Sequence, residues 1–323
     1  MCTAVTYQTK EHYFGRTLDL EYSYDEKVVV TPREFPFEFR TKGRQESHYA
    51  MIGMAVVMEG YPLYYEAANE HGLAMAGLNF PGNAHYFDVI PGKDNIAPFE
   101  FIPWILGQCK NLTEARELLS KINLCNIPFS RELPLSPLHW LIADRQGAIT
   151  AESMKGGLKI HENPVGVLTN NPPFDYHMTH LCDYLNLTHL PPQNRFGNVR
   201  LHPYSRGMGA MGLPGDLSSA SRFVRAAFVK LNSVSGDEEP ESVGQFFHIL
   251  GSVEQQRGCA QMPDGSFEIT DYTSCINTDR GIYYYTTYDN SCISAVDMHR
   301  CALDGTSLCV YPLAKKQIIN KQN

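Results

Sequence analysis

The order in which strand-like and helix-like segments follow one another constrains this chain most. Residues 2–9 (CTAVTYQT) alternate with the period of a strand, Lys10-Glu11 reads as a two-residue turn, and residues 12–20 (HYFGRTLDL) read as the returning strand. Strand patterns continue at 27–31, 48–58, 63–68 and 72–79, with the turn Asn69-Glu70-His71-Gly72 between the last two. Helical periodicity follows over 98–109 and 113–122, the second opened by Thr113 as its N-cap. Next come a hairpin of residues 138–144 and 148–154, a strand at 165–169 and a helix over 174–186. Helices at 218–234 and 241–254 precede a C-terminal meander of segments 272–278, 282–288, 292–298 and 307–313. Strands thus come in antiparallel runs with helices grouped between them, which is an α+β arrangement of stacked layers and not an alternating βαβ one. No fixed-period repeat or low-complexity linker interrupts the chain, so a single domain over residues 1–323 is expected.

Composition narrows the function classes. Hydrophobic residues make up 43% and charged residues 19%, the balance of a folded globular chain. A net charge of −8 argues against nucleic-acid partners. No run of 18 apolar residues predicts a membrane span, and the N-terminus lacks the basic and apolar regions of a signal peptide, so a cytoplasmic protein is expected. The nine cysteines include no CxxC, and their spacing matches neither a zinc ribbon nor a disulfide framework. His177 and His180 stand three apart on a predicted helix but lack a third ligand nearby, so no metal is expected. Gly207–Gly212 matches G-x-G-x-x-G. However, it sits in the Pro- and Gly-rich stretch 191–217 and is followed by Leu213-Pro214-Gly215, so it reads as loop and not as a dinucleotide site.

The chemistry concentrates at Cys2. Once Met1 is removed, Cys2 carries a thiol and a free α-amine with ordinary pKa values of about 8.5 and about 7.7–8.0, so a nucleophile and its base share one residue. With a two-residue turn at 10–11, paired positions of the first hairpin sum to 21, which puts Asp19 opposite Cys2 to within one residue. Arg16 lies three residues before Asp19 and would face the other way in a regular strand, so the strand must bulge or end between them if both serve Cys2, which Gly15 allows.

Several segments together are similar to the choloylglycine hydrolase family. They are MCT at 1–3, FGRTLDL at 14–20, AGLNFP at 76–81, GVLTN at 166–170, LPGD at 213–216, SRFVRAAF at 221–228, and YTSC with GIYYYTTY over 272–288. The resemblance runs in order along the whole chain. It implies an N-terminal-nucleophile hydrolase with a four-layer αββα sandwich, two stacked antiparallel sheets between helical layers. By that likeness Cys2 is the nucleophile with its own amine as base, Asp19 holds the amine, and Arg16 favours the thiolate. Asn79 and Asn170 build the oxyanion hole and Arg222 completes the charged network. No metal or organic cofactor is implied, and a homotetramer is. The family holds bile salt hydrolases and penicillin V acylases. Asn79, where the acylases more often carry Tyr, implies hydrolysis of glycine- and taurine-conjugated bile salts through a Cys2 thioester. Leu18, Phe129, Leu133 and Leu138 would line the sterol side, and Ser205-Arg206-Gly207 resembles a selectivity element that leans towards taurine conjugates. A penicillin V acylase or related N-acyl amidase, and a non-catalytic bile-acid- or lipid-binding protein, remain the alternatives.

Overall fold

The computed structural model describes residues 1–323. Two antiparallel sheets form its centre. The six-stranded sheet runs in the order β10 (Val167–Leu168), β1 (Cys2–Gln8), β2 (His12–Leu20), β11 (Ile269–Asn277), β12 (Ile282–Thr287) and β13 (Asn290–Asp297). The eight-stranded sheet runs in the order β9 (Gly157–Glu162), β8 (Gly147–Met154), β7 (Leu138–Asp144), β6 (Ala74–Asn79), β5 (Tyr61–Asn69), β4 (Met51–Met58), β3 (Lys27–Thr31) and β14 (Cys309–Pro312). Helices α1 (Phe101–Leu106) and α2 (Leu112–Leu119) pack on the outside of the eight-stranded sheet. Helices α4 (Ser219–Asn232) and α5 (Glu239–Gly251) pack on the outside of the six-stranded one, with α3 (Phe174–Leu181) beside α4. The layers are therefore αββα.

Period-2 alternation builds this stack. In β7, Leu141 and Ala143 join the core between the sheets, whereas Trp140 and Ile142 join the core under α1 and α2. β1 is covered on both faces and is buried from Cys2 to Tyr7, which is why its sequence stays apolar or threonine-rich throughout. Helix α4 directs Arg222, Phe223, Ala226 and Ala227 inward, so its first turn delivers a guanidinium to the end of β1.

The first hairpin differs from the sequence expectation by one residue. Gln8 pairs with His12 and Cys2 with Leu18, so the turn is Thr9-Lys10-Glu11 and paired positions sum to 20. Asp19 lies level with Met1 and donates its N–H to the Met1 carbonyl at 2.9 Å. The expected bulge is in the neighbouring strand: Leu18 pairs with Tyr272 and Asp19 with Thr270, which leaves Asp271 as the extra residue. Gly15 serves a different purpose, because a Cβ there would stand 2.0 Å from the Ser274 carbonyl oxygen and only glycine lets β2 and β11 come so close.

Other boundaries also move. Asn111, not Thr113, caps α2, its side chain accepting from the Glu114 N–H. The helix expected over 98–109 is a short 3-10 turn followed by the six-residue α1. β9 was not anticipated. The segment read as the fourth strand of the C-terminal meander crosses to the other sheet, where β14 pairs with β3.

Candidate active site

Cys2 is the first residue of β1 and is 3% exposed. Asn170 stands just beyond β10, next to it. The Cys2 N–H donates to Asn170 Oδ1 at 2.8 Å, and Arg222 NH2 donates to the same oxygen at 2.7 Å. The other end of the amide, Nδ2, donates to the Asn79 carbonyl at 2.8 Å. Two donors on one side and an acceptor on the other permit a single orientation of this side chain. Asn170 is held in turn by its backbone: its N–H donates to Ser219 Oγ at 2.8 Å, and its carbonyl accepts from His177 Nε2 at 2.9 Å. Arg222 grips Cys2 directly, with NH1 donating to the Cys2 carbonyl at 2.5 Å and to Thr3 Oγ1 at 2.6 Å, while Nε donates to Leu217 O at 3.0 Å.

Asp19 is fully buried and accepts from Thr270 Oγ1 at 2.6 Å and Thr17 Oγ1 at 3.2 Å. Burial raises its proton affinity above the ordinary range, against the pull of Arg222, the terminal ammonium and those hydroxyls. Burial likewise lowers the pKa of the terminal amine, opposed by Cys2 and Asp19. For Arg16, burial acts to weaken the charged form, but Cys2, Tyr272, Glu66 and Asp19 reverse the balance and its pKa rises. Its NH1 donates to the Gly77 carbonyl at 2.5 Å and its Nε to Thr17 O at 3.2 Å. Cys2, Arg16, Asp19, Asn170 and Arg222 are thus drawn together, with Asn79 joined to them through its backbone. Met1 lies over this group. Its ammonium donates to the Asp19 carbonyl at 2.6 Å and pairs with Glu268.

The chemical capacity follows from these positions. A thiol beside its own backbone nitrogen, two guanidinium groups and a buried carboxylate can form a thiolate and pass a proton between nitrogen and a leaving group. The Asn79 side chain is exposed at the end of β6 and has no protein hydrogen bond, so it is free to donate to an outside oxygen. Asn170 Nδ2, expected to face an oxyanion, is instead committed to the Asn79 backbone in the Met1-bearing chain. No group of three or more His, Cys, Asp or Glu side chains is placed to hold a metal.

The remaining candidates scatter. Leu18 is buried directly opposite Cys2, and Leu138 pairs with Asn79. Leu133 is half-buried in the loop before β7. Phe129 stacks edge-on with Phe99 at 5.2 Å and lies under the Arg40 guanidinium at 5.6 Å, lining a cavity of about 210 Å³ with Tyr61 and Phe35. Ser205, Arg206 and Gly207 sit in an exposed arm, and none of them hydrogen-bonds to the group around Cys2. The larger of the two cavities, about 330 Å³, lies behind the six-stranded sheet and meets the site at Thr270. The sequence reading missed Glu66, Tyr272, Thr270 and the role of His177. A glutamate amid an otherwise apolar and aromatic strand was the available signal for the first.

Residues 2–311 match the family described as linear amide C–N hydrolases, choloylglycine hydrolase family. The chain belongs to the choloylglycine hydrolase family. This hydrolase is 57% identical over 314 residues to a bile salt hydrolase/transferase of Lactiplantibacillus plantarum, covering 97% of each chain. It is 37% identical over 329 residues to the bile salt hydrolase/transferase of Clostridium perfringens, covering all of both. A crystal structure of the conjugated bile acid hydrolase from Clostridium perfringens superposes with a TM-score of 0.92 over 100% of both chains at 37% identity. Penicillin V acylase from Agrobacterium tumefaciens shares the fold at 20% identity, with a TM-score of 0.74 over 96% of this chain and 90% of that one. The family's sandwich of two antiparallel sheets between helices is therefore the fold of this choloylglycine hydrolase.

Proposed function

We propose that this enzyme hydrolyses the amide bond of glycine- and taurine-conjugated bile salts through a thioester on Cys2. One observation carries the reading. The Cys2 nitrogen, which becomes an α-amine once Met1 is gone, sits 2.8 Å from Asn170 Oδ1 on the same residue as a buried thiol. The amine takes the thiol proton, the thiolate attacks the amide carbonyl, and the Asn79 side chain donates to the oxyanion as the tetrahedral intermediate forms. The same proton passes to the departing nitrogen of glycine or taurine. Water, deprotonated by the amine, then cleaves the thioester to bile acid and regenerated thiol. Asp19 holds the ammonium form, Arg16 favours the thiolate, and Arg222 fixes the Cys2 carbonyl and Asn170.

Leu18, Phe129, Leu133 and Leu138 are assigned to the sterol side, and Ser205-Arg206-Gly207 to conjugate selectivity with a lean to taurine. The bile salt assignment is supported by the names of the relatives, and Asn79 favours it over penicillin V. Residues 1–323 act as one domain. An exposed apolar arm supports homotetramer assembly: Leu185 is 84% exposed, Phe196 72% and Tyr204 84%. No helix is long and apolar enough to cross a membrane, and we place the enzyme in the cytoplasm.

Hydrolysis rates on taurocholate, glycocholate, penicillin V and a long-chain N-acyl homoserine lactone test the reading, with intact mass as the companion measurement. Turnover of the conjugates by protein lacking Met1, and none after Cys2→Ala, is expected. Activity in Cys2→Ala or in Met1-bearing protein would falsify the mechanism. Preference for penicillin V would move the enzyme to the acylase branch, and no turnover of any substrate would leave a binding protein.

A further inference from the structure

Beneath Arg16 lies an anion that the mechanism above does not use. Glu66, in the middle of β5, is wholly buried between the two sheets. Its Oε2 lies 3.8 Å from Arg16 Nε and accepts from Tyr272 Oη at 2.8 Å, and its Oε1 accepts from Tyr283 Oη at 2.5 Å. All four side chains are shielded from water. Burial raises the proton affinity of Glu66, and the Arg16 guanidinium and the two hydroxyl donors act against that rise. Arg16 needs Glu66 in turn. Its NH1 is tied to the Gly77 and Tyr65 carbonyls, at 2.5 and 3.5 Å, and its Nε to Thr17 O, but carbonyls cannot balance a full positive charge in a dry interior. The NH2 group has no protein acceptor, so the guanidinium is fixed on two sides and open on the third.

We propose that Glu66, braced by Tyr272 and Tyr283, is a positioning residue that aims the Arg16 guanidinium and tempers its charge at the Cys2 thiol. Arg16 uncompensated would over-stabilise the thiolate, and a thiolate held too tightly is a poorer nucleophile. Glu66 prevents this by pairing with the guanidinium at Nε. The proposal rests on Cys2 as the nucleophile.

The test uses mature enzyme and Glu66→Gln, with two readouts. One is the pH dependence of Cys2 alkylation by iodoacetamide, followed on the N-terminal peptide by mass spectrometry so that other thiols do not interfere. The other is kcat/KM on taurocholate. Glutamine keeps the shape and an acceptor oxygen, and the Gly77 and Thr17 carbonyls still hold Arg16, so loss of the charge is expected to move the alkylation midpoint to lower pH by about one unit and to lower kcat/KM by on the order of tenfold or more. Glu66→Asp, which keeps the charge but shortens its reach, is expected to hold the midpoint while kcat/KM falls. An unmoved midpoint in folded Glu66→Gln overturns the proposal, because a merely structural loss changes rate without changing titration. If Glu66→Gln does not fold, the double variant Tyr272→Phe, Tyr283→Phe decides: removing both donors promotes protonation of Glu66, and an unmoved midpoint there is equally fatal. Inactivity of the unsubstituted enzyme on taurocholate would count against the proposed function instead and leaves the alkylation comparison readable.

Discussion

Replacing His177 with glutamine should flatten the acid side of the stability profile by a predictable amount. His177 is 0% exposed, stacks on Phe223 at 4.8 Å, and donates from Nε2 to the Asn170 carbonyl, while Nδ1 has no partner. Burial first, with Arg222 and His139 nearby, lowers its pKa from 6.5 to about 4, against the raising effect of the Asn170 carbonyl and Glu152. The unfolded chain therefore binds more protons than the folded one between about pH 4 and 6.5, and stability rises with pH across that window. A difference of about 2.5 units corresponds to about 3 kcal/mol lost on acidifying from pH 7 to 4. Glutamine keeps an N–H donor for Asn170 but cannot charge. The assay is urea unfolding at pH 7, 5.5 and 4.5 at fixed protein concentration. Buried acids with raised pKa, Asp19 and Glu66 among them, contribute in the opposite direction, and His12, also lowered to about 4, in the same one. These contributions are common to both proteins and cancel in the comparison. An equal fall in stability for wild type and variant between pH 7 and 4.5 would refute the reasoning.

Three further outcomes are expected. Asn79→Ala should lower kcat by about 10²–10³-fold with little change in Tm, as for loss of one oxyanion donor, read from steady-state kinetics. Arg222→Lys keeps the charge but cannot reproduce the fork that serves Cys2 O, Thr3 and Asn170 together. It should cost at least about one charged hydrogen bond, roughly 1.5–3 kcal/mol or about tenfold to 100-fold in kcat/KM. Gly15→Ala should lower stability by about 1–3 kcal/mol, because the new Cβ meets backbone and no flexible side chain can yield, with Arg16 displaced beside it. Thermal unfolding measured alongside kcat separates the two effects.

What the sequence made legible followed local rules. β2 coincides with the expected 12–20, because its Tyr, Phe and Thr favour a strand and the turn before it fixes where it begins. The pairing of the first hairpin was off by one because turn length is set by Thr9-Lys10-Glu11 acting together, and a two-residue turn fits the same letters. Asp271 could not be found as a bulge, since its extra residue shows only against β2. β14 reads like any other terminal strand, and its choice of sheet is a tertiary matter. At the site, the charged residues near Cys2 in the first hairpin were within reach of pattern reasoning, whereas Asn79, Asn170 and Arg222 came through family resemblance. Glu66, Tyr272 and Tyr283 lie on strands of different sheets and converge only after stacking.

That stacking makes catalysis a gauge of alignment. Cys2 rides on one slab and the free amide of Asn79 on the other. The bonds that cross between them at this end are polar: Asn170 to Asn79 O, Arg16 to Gly77 O, and the tyrosine hydroxyls to Glu66. Oil-like contacts elsewhere between the slabs tolerate a small slip, but these directional ones do not. Core substitutions between the sheets, such as Leu141→Ala, would then register as lost turnover before they register as lost fold, since a shift of about 1 Å is enough to cost about 10²-fold.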